Sequence, residues 1–139
     1  MNTNRSISER VMEKIYKIDS ISADPQFSTV VNGIIGGRVL LFGAPEEETI
    51  RALVEMGVKN ITLIDSSYVN LLTAKRDLYD LDSQLIYAQR DIFKKWNVGV
   101  FTYDLVVLNG LKTQAPSINS LINEALAALK PGGTFIVNG

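Results

Sequence analysis

Asp65 is the residue whose type and position most clearly suggest chemistry. It closes an apolar run over residues 60–65 and lies 22 residues after Gly43, which follows the preceding apolar run. A carboxylate at about this spacing can accept hydrogen bonds from both ribose hydroxyls of a nucleoside-containing cofactor. The spacing predicts that role for Asp65. The alternative is that Asp65 caps the helix that follows it, as aspartates often do.

The loop after Gly43 narrows the choice of nucleoside cofactor. Its sequence is Gly43-Ala44-Pro45-Glu46-Glu47-Glu48, which has only the first glycine of a dinucleotide-binding loop. Pro45 has no backbone N–H to donate, and three successive carboxylates repel a phosphate group. The loop therefore disfavours NAD, FAD and ATP. S-adenosylmethionine is compatible with it, because that molecule carries a ribose, an adenine and a sulfonium cation but no phosphate.

Composition limits the chemistry further. The 139 residues include no histidine, no cysteine, 14 basic and 15 acidic residues. Ser-His-Asp and Cys-His mechanisms, disulfides and sites with thiolate or imidazole ligands are therefore excluded, and we predict no metal site. A net charge of −1 without a basic stripe disfavours a nucleic-acid partner. No apolar run approaches the length of a membrane span.

The elements that must position these residues alternate between strands and helices. Five apolar runs are predicted as strands, at residues 38–42, 60–65, 84–89, 103–109 and 134–138. The segments between them predict helices at residues 46–56, from a cap at Ser66 or Ser67 to residue 79, and at residues 116–129. Two further helices are predicted before the first strand. One covers residues 6–18, and the other runs from Asp24 to the Gly36-Gly37 pair.

Strands and helices in this alternation form right-handed crossovers and a parallel sheet, which gives a three-layer α/β domain. In such a sheet, ligands bind at the carboxyl ends of the strands, near the point where strand order reverses. The residues that follow the predicted strands are therefore the candidate binding residues. They are Gly43-Ala44-Pro45, Asp65-Ser66, Asp91-Ile92-Phe93, Asn109-Gly110-Leu111 and Asn138-Gly139.

Taken in order, these segments resemble the core of class I S-adenosylmethionine-dependent methyltransferases. The similar stretches are Val39-Leu40-Leu41-Phe42-Gly43, Ile61-Thr62-Leu63-Ile64-Asp65, Arg90-Asp91-Ile92-Phe93, Tyr103-Asp104-Leu105-Val106-Val107-Leu108-Asn109-Gly110 and Leu129-Lys130-Pro131-Gly132-Gly133-Thr134-Phe135. With this resemblance we predict a Rossmann-like fold whose mainly parallel, five-stranded sheet has the order 3-2-1-4-5. Residues 38–139 would form this cofactor-binding core, and residues 1–37 a helical segment that packs on it.

The resemblance also implies roles by position for the cofactor S-adenosylmethionine. The predicted binding residues are Gly43, Ala44, Asp65, Ser66, Asp91, Ile92, Asn109 and Gly110. The first two would face the methionine part, and Asp65 would hold the ribose. Asp91 would accept a hydrogen bond from the adenine amino group, with Ile92 beside the ring. The last two would border the sulfonium and the methyl acceptor.

Two features depart from the family's pattern. Leu41 stands where the family usually has an acidic residue, and Pro45 and Glu47 stand where it usually has further glycines. The helix and antiparallel strand pair that usually follow the fifth strand are missing. We therefore expect residues 134–137 to form an apolar edge strand. Either the chain is a fragment of a longer protein, or a partner chain or a second copy covers this edge. These departures favour an alternative function, a non-catalytic interaction or assembly module that has lost cofactor binding.

The leading interpretation is methyl transfer to a small-molecule acceptor. Methyl transfer is a direct displacement in which alignment supplies much of the rate, so it suits a chain without histidine. No catalytic base stands out. The string Asn109-Gly110-Leu111-Lys112 lacks the Asn/Asp-Pro-Pro-aromatic pattern of the family's amino-methylating nucleic-acid enzymes. The N-terminus lacks the apolar core of a signal peptide, so we expect a cytoplasmic protein.

Overall fold

Six parallel strands form the centre of the fold. A computed structural model of the chain describes residues 15–18, 37–43, 47–91, 94–109 and 118–138. The strands are β1 (Ile15–Ile18), β2 (Arg38–Phe42), β3 (Asn60–Asp65), β4 (Leu85–Gln89), β5 (Tyr103–Asn109) and β6 (Leu129–Asn138). They lie in the order β1-β6-β5-β2-β3-β4, and every neighbouring pair is parallel. The predicted order 3-2-1-4-5 is confirmed for β2 to β6.

Helices connect the strands as the sequence predicts, and each ends slightly earlier than predicted. The described residues include α1 (Glu47–Glu55), α2 (Tyr68–Asp77) and α3 (Ile118–Ala128), and a 3₁₀ helix at Tyr79–Gln84 follows α2. Gly57, just after α1, has a φ of +96°, and its N–H donates to the carbonyl of Val54 at 3.0 Å. A glycine reaches this backbone conformation without steric cost, so the chain turns here towards β3.

β1 corrects the prediction for the N-terminal segment. The helix predicted over residues 6–18 is wrong for its last four residues, because Ile15–Ile18 is a strand paired with β6. The sequence Ile-Tyr-Lys-Ile is rich in β-branched and aromatic residues, and the side of β6 facing away from β5 offers backbone partners. The rest of that helix and the second predicted helix lie outside the described residues.

The same pairing changes what covers the β6 edge of the sheet. Ile15 lies opposite Phe135 and Ile18 lies opposite Asn138, so β1 runs along the second half of β6. The expectation that another chain covers this apolar strand is wrong along the paired stretch. A strand of the same chain satisfies the backbone groups that an edge strand would otherwise present to a second molecule.

Apolar side chains cover both faces of the sheet and hold the strand ends in place. On one face, α1 and α2 pack on the sheet in a cluster that includes Leu41, Ile50, Leu53, Leu63 and Leu71. On the other face, α3 packs in a cluster that includes Leu40, Val106, Leu121, Ile122 and Ala125. Each fully buried side chain of this size stabilises the fold by about 1.5–3 kcal/mol.

A loop with a buried tryptophan crosses the second face between β4 and β5. Trp96 is only 1 % exposed and belongs to the same apolar cluster as α3. Its ring centroid lies 5.2 Å from that of Phe42, the last residue of β2. Trp96 therefore fixes this loop against the sheet close to the carboxyl end of β2.

β6 begins earlier than predicted and contains an irregularity. Leu129 lies opposite Tyr103, whereas Thr134 lies opposite Leu105, so β6 has three more residues than β5 over this stretch. Gly133 has no room for a side chain, because an added Cβ would lie 3.0 Å from the carbonyl oxygen of Lys130. The glycine therefore permits the close approach that brings the second part of β6 back into register.

Candidate functional site

The turn after β2 is the first part of the candidate site. Gly43 has a φ of +86°, which a glycine adopts without strain. Its N–H donates to the carbonyl of Ile64 at 2.9 Å, so the turn is tied to the end of the neighbouring strand β3. The predicted residue Ala44 lies outside the described residues.

Asp65 is buried at the carboxyl end of β3 and held by two donors. Within the described ranges it is the one charged residue that is buried, with 6 % exposure. One carboxylate oxygen, Oδ1, accepts from the N–H of Ser67 at 2.8 Å, and Oδ2 accepts from Asn70 Nδ2 at 3.3 Å. These two bonds orient both oxygens of the carboxylate at the end of the strand.

The start of α2 shows that Asp65 is not the N-cap of this helix, while its ribose-binding role stays a prediction. Ser67 is the N-cap of α2, and its hydroxyl accepts from the N–H of Asn70 at 3.2 Å. Asp65 therefore does not itself cap the helix but braces the turn that leads into it. The sequence permits either Ser66 or Ser67 as the N-cap, and in the structure the N-cap is Ser67. Ser66 is exposed at the same end of β3, and its carbonyl accepts from Gln89 Nε2 at 3.1 Å.

Asp91 lies at the carboxyl end of β4, the strand next to β3. The N–H of Arg90 donates to the carbonyl of Asp65 at 3.0 Å, so the segment carrying Asp91 is hydrogen-bonded to the end of β3. Asp91 is exposed, and its carbonyl accepts from the N–H of Lys94 at 3.1 Å, which closes a turn. Ile92 lies outside the described residues.

Asn109 completes the row on the other side of β2. It is the last residue of β5 and lies opposite Asn138 of β6. The predicted residue Gly110 lies outside the described residues.

The structure brings five of the predicted residues to one end of the sheet, with Ser66 beside Asp65 and the other four at successive strand ends. Gly43, Asp65, Asp91 and Asn109 follow or end four neighbouring strands, in the spatial order β5-β2-β3-β4. With strands about 4.8 Å apart, these four ends form a row about 14 Å long. The row suits an extended ligand with several linked parts.

Asn70 is the residue of this site that the sequence reasoning missed. Its side chain contacts the Asp65 carboxylate, and its N–H bonds the helix cap. The available signal was a polar residue in the first turn after a capping serine.

Asp104 has a structural role away from the site. Its Oδ2 accepts from the N–H of Arg38 at 2.9 Å and lies 3.5 Å from Lys130 Nζ. These contacts join the beginnings of β2, β5 and β6, at the opposite end of the sheet from Asp65. Tyr103 lies beside it and is buried, with its hydroxyl 3.1 Å from Thr62 Oγ1 and 3.2 Å from the carbonyl of Val98.

Comparisons with known proteins identify the fold. An S-adenosylmethionine-dependent methyltransferase of Mesorhizobium loti has 19 % identity and a TM-score of 0.67, over 85 % of this chain and 54 % of that one. A candidate sarcosine dimethylglycine methyltransferase of Galdieria sulphuraria has 18 % identity and a TM-score of 0.68, over 84 % and 44 %. The chain therefore has the Rossmann-like fold of a class I methyltransferase core, as the sequence resemblance implies.

A third solved structure contains a partner protein. It is the Haloferax volcanii complex between the Trm112 methyltransferase activator and a candidate methyltransferase, with 23 % identity and a TM-score of 0.64 over 78 % of this chain and 49 % of that one. This chain spans about half the length of the solved structures described above. No protein-family model matches the chain, and no curated protein matches it.

The described ranges lack two features, a membrane-spanning helix and a metal-binding cluster. In those ranges no helix is both long and apolar enough to cross a membrane. The same ranges contain no group of three or more acidic, histidine or cysteine side chains placed to hold a metal ion.

Proposed function

We propose that this chain binds S-adenosylmethionine at the carboxyl end of its sheet and transfers the methyl group to a small-molecule acceptor. The observation that carries the proposal is the buried carboxylate of Asp65, held by Ser67 and Asn70 one strand away from the Gly43 turn. A carboxylate fixed at this position can accept from ribose hydroxyls without first reorganising. The methyltransferase fold of the chain supports the choice of cofactor.

Glu47, one of the departures from the family's pattern, is paired with an arginine of its own helix. Its side chain stands where the family usually has a glycine, and a side chain at that position could crowd a ligand. In this structure Glu47 Oε1 accepts from Arg51 Nε at 2.9 Å, and the Glu47 side chain is 48 % exposed. The carboxylate is therefore engaged along the surface of α1.

The residues of the site would act by alignment. Asp65 would fix the ribose, Asp91 the adenine and Asn109 the region beside the sulfonium. The cofactor supplies a methyl group on a positively charged sulfur, and the acceptor displaces it directly. Correct placement of the two reactants supplies much of the rate of such a step. The negative charges of the Asp65 and Asp91 carboxylates also suit a cationic ligand.

A second candidate function is a non-catalytic module that works through a partner chain. The observation that favours it is Leu41, which is fully buried in the apolar cluster under α1. The family usually has an acidic residue there. In this chain the position belongs to the apolar core and supplies no carboxylate to the site. One solved structure of similar fold is a complex with an activator protein, which supports a partner for this chain.

Calorimetric titration with S-adenosylhomocysteine tests the proposal. We expect the wild type to bind and Asp65→Asn to bind about tenfold or more weakly, because a hydrogen bond to a charged group contributes about 1.5–3 kcal/mol. Asp104→Asn is the matched control, since it changes a carboxylate at the opposite end of the sheet. A folded wild type that does not bind, or equal affinities of the wild type and Asp65→Asn, would contradict the proposal.

Product formation then separates the two candidate functions. A protein that binds S-adenosylhomocysteine and converts S-adenosylmethionine in the presence of a small-molecule acceptor supports the enzyme. Stable association with a partner chain, without any effect of either ligand on thermal stability, supports the non-catalytic module.

A further inference from the structure

The Arg90 side chain joins the two ends of the loop that contains Asp91. Its Nε donates to the carbonyl of Trp96 at 2.7 Å, and its Nη1 donates to the carbonyl of Gln89 at 2.8 Å. Gln89 is the last residue of β4, and Trp96 lies six residues after Arg90. One guanidinium group therefore spans the loop from its beginning to its buried anchor.

The far end of this bridge is fixed independently. The Trp96 side chain is 1 % exposed, and its backbone N–H donates to Glu124 Oε1 of α3 at 2.7 Å. The near end is fixed as well, because the backbone N–H of Arg90 donates to the carbonyl of Asp65 at 3.0 Å. The Arg90 side chain thus connects two points that the sheet and α3 already hold.

Asp91 lies between these two points. It directly follows Arg90, and its carbonyl accepts from the N–H of Lys94 at 3.1 Å. A planar guanidinium has several donors in a fixed geometry, so it can serve both carbonyl groups at once. Lysine carries its three donors on a single nitrogen and so spans the two carbonyls less well, and glutamine is too short to reproduce the bridge. The Arg90 side chain therefore holds the backbone on both sides of Asp91.

We propose that Arg90 is a positioning residue that aims the Asp91 carboxylate at the 6-amino group of adenine. Arg90 thereby makes the site selective for adenine over a purine that lacks this amino group. The inference rests on the proposed function. It gives Arg90 an effect on ligand selectivity that is exerted through Asp91, without a contact between Arg90 and the ligand. If Arg90 had only a structural role, its substitution would change the stability of the fold and leave the ligand selectivity unchanged.

The test compares two ligands on each protein. S-adenosylhomocysteine and its deamino counterpart, in which hydrogen replaces the 6-amino group, are titrated into the wild type, Arg90→Gln, Arg90→Lys and Arg76→Gln. We expect the wild type to prefer the amino-bearing ligand by about tenfold or more, as a hydrogen bond to a carboxylate predicts. Arg90→Gln should lower this preference to about twofold or less, and Arg90→Lys should give an intermediate value.

Arg76→Gln is the matched control, because Arg76 is an exposed arginine on α2 that pairs only with its neighbour Asp77 among the described residues. It should keep the wild-type preference. A folded Arg90→Gln or Arg90→Lys protein with the full wild-type preference would overturn the inference and leave the proposed function standing. If Arg90→Gln does not fold, Arg90→Lys decides between the two results. A wild type that binds neither ligand would overturn the proposed function and this inference together.

Discussion

The Asp65 carboxylate is oriented from two sides before any ligand arrives. The Ser67 N–H fixes one oxygen and the Asn70 side chain fixes the other, at 2.8 and 3.3 Å. Both donors belong to the beginning of α2, so the helix that follows β3 sets the direction of the side chain that ends β3. A group held in this way loses little freedom on binding, which favours affinity.

Asn70→Ala tests this orientation at the level of one side chain. The change removes the bond to Asp65 Oδ2 but keeps the backbone N–H that bonds the Ser67 cap. We expect affinity for S-adenosylhomocysteine to fall about three- to tenfold, and the free energy of unfolding to fall by about 1 kcal/mol or less. Calorimetry and urea denaturation measure the two effects. Asn60→Ala, exposed at the other end of β3, should change neither; unchanged affinity in Asn70→Ala would contradict the role of Asn70.

The position of Asp65 could be predicted from the sequence, but its partner could not. The apolar run before Asp65 and its distance from Gly43 are visible in the chain itself. The contact with Asn70 depends on whether α2 begins after Ser66 or after Ser67. A shift of one residue turns every side chain of a helix by about 100°, because a turn has 3.6 residues. The sequence permits both caps, and only the folded turn selects Ser67.

The buried hydroxyl of Tyr87 leads to a second prediction at the residue scale. Its hydroxyl oxygen is buried and makes no hydrogen bond within the described part of the chain. Burial, with a smaller contribution from the charge of Asp82, raises the pKa of Tyr87 above its ordinary value. The folded state therefore holds the phenolic proton more tightly than the unfolded state does.

Tyr87→Phe should therefore increase the free energy of unfolding by about 1 kcal/mol at pH 7, because it removes a buried hydroxyl without a partner. A group with a raised folded pKa contributes stability below its unfolded pKa and loses it as the pH rises. The advantage of the variant should thus grow above about pH 10, the ordinary tyrosine value. Urea denaturation at pH 7 and pH 10.5 measures this. Tyr79→Phe, at a 77 % exposed position, is the control and should match the wild type at both pH values.

At the scale of elements, β1 has the largest structural consequence. It pairs with β6 over four residues and so occupies the side of the sheet that would otherwise be an apolar edge. The pairing also carries the N-terminal segment to the side of the sheet opposite β4. β1 is therefore part of the sheet, although a long segment of sequence separates it from β2, the first of the core strands.

Truncation before and after β1 tests this arrangement. A chain that starts at residue 19 loses β1 and exposes the β6 edge, so we expect a lower urea midpoint and association that increases with protein concentration. A chain that starts at residue 15 keeps β1 and should remain closer to the wild type. Light scattering and denaturation curves measure both properties. Identical curves and sizes for the two truncations would show that β1 does not protect this edge.

The core elements were predictable where local pattern and tertiary contact agree. Arg38–Phe42, Asn60–Asp65 and Tyr103–Asn109 are apolar runs buried on both faces, and the structure has strands there with the predicted bounds. β1 could not be predicted in the same way. Ile7, Val11, Ile15 and Ile18 have helical spacing, whereas Ile15–Ile18 alone has strand-forming residues. The neighbouring β6 decides between these patterns, and β6 lies more than a hundred residues later in the chain.

At the scale of the whole molecule, the sheet separates the proposed binding end from an end with structural ion pairs. Gly43, Asp65 and Asp91 lie at the carboxyl ends of neighbouring strands, whereas Asp104, Arg38 and Lys130 are paired at the other end. The chain matches about half the length of solved methyltransferases of the same fold. The central proposal concerns the part that the chain shares with them, the cofactor-binding end of the sheet.

Amide chemical-shift mapping with S-adenosylhomocysteine tests that central proposal most directly. Assigned ¹H–¹⁵N spectra recorded during a titration report every backbone N–H of the folded chain separately. We predict saturable shifts at Gly43, Ser66 and Asp91, and unchanged signals at Lys59 and Thr102, which lie at the other end of the sheet. Unchanged signals throughout, or saturable shifts confined to the end that carries Lys59 and Thr102, would contradict it.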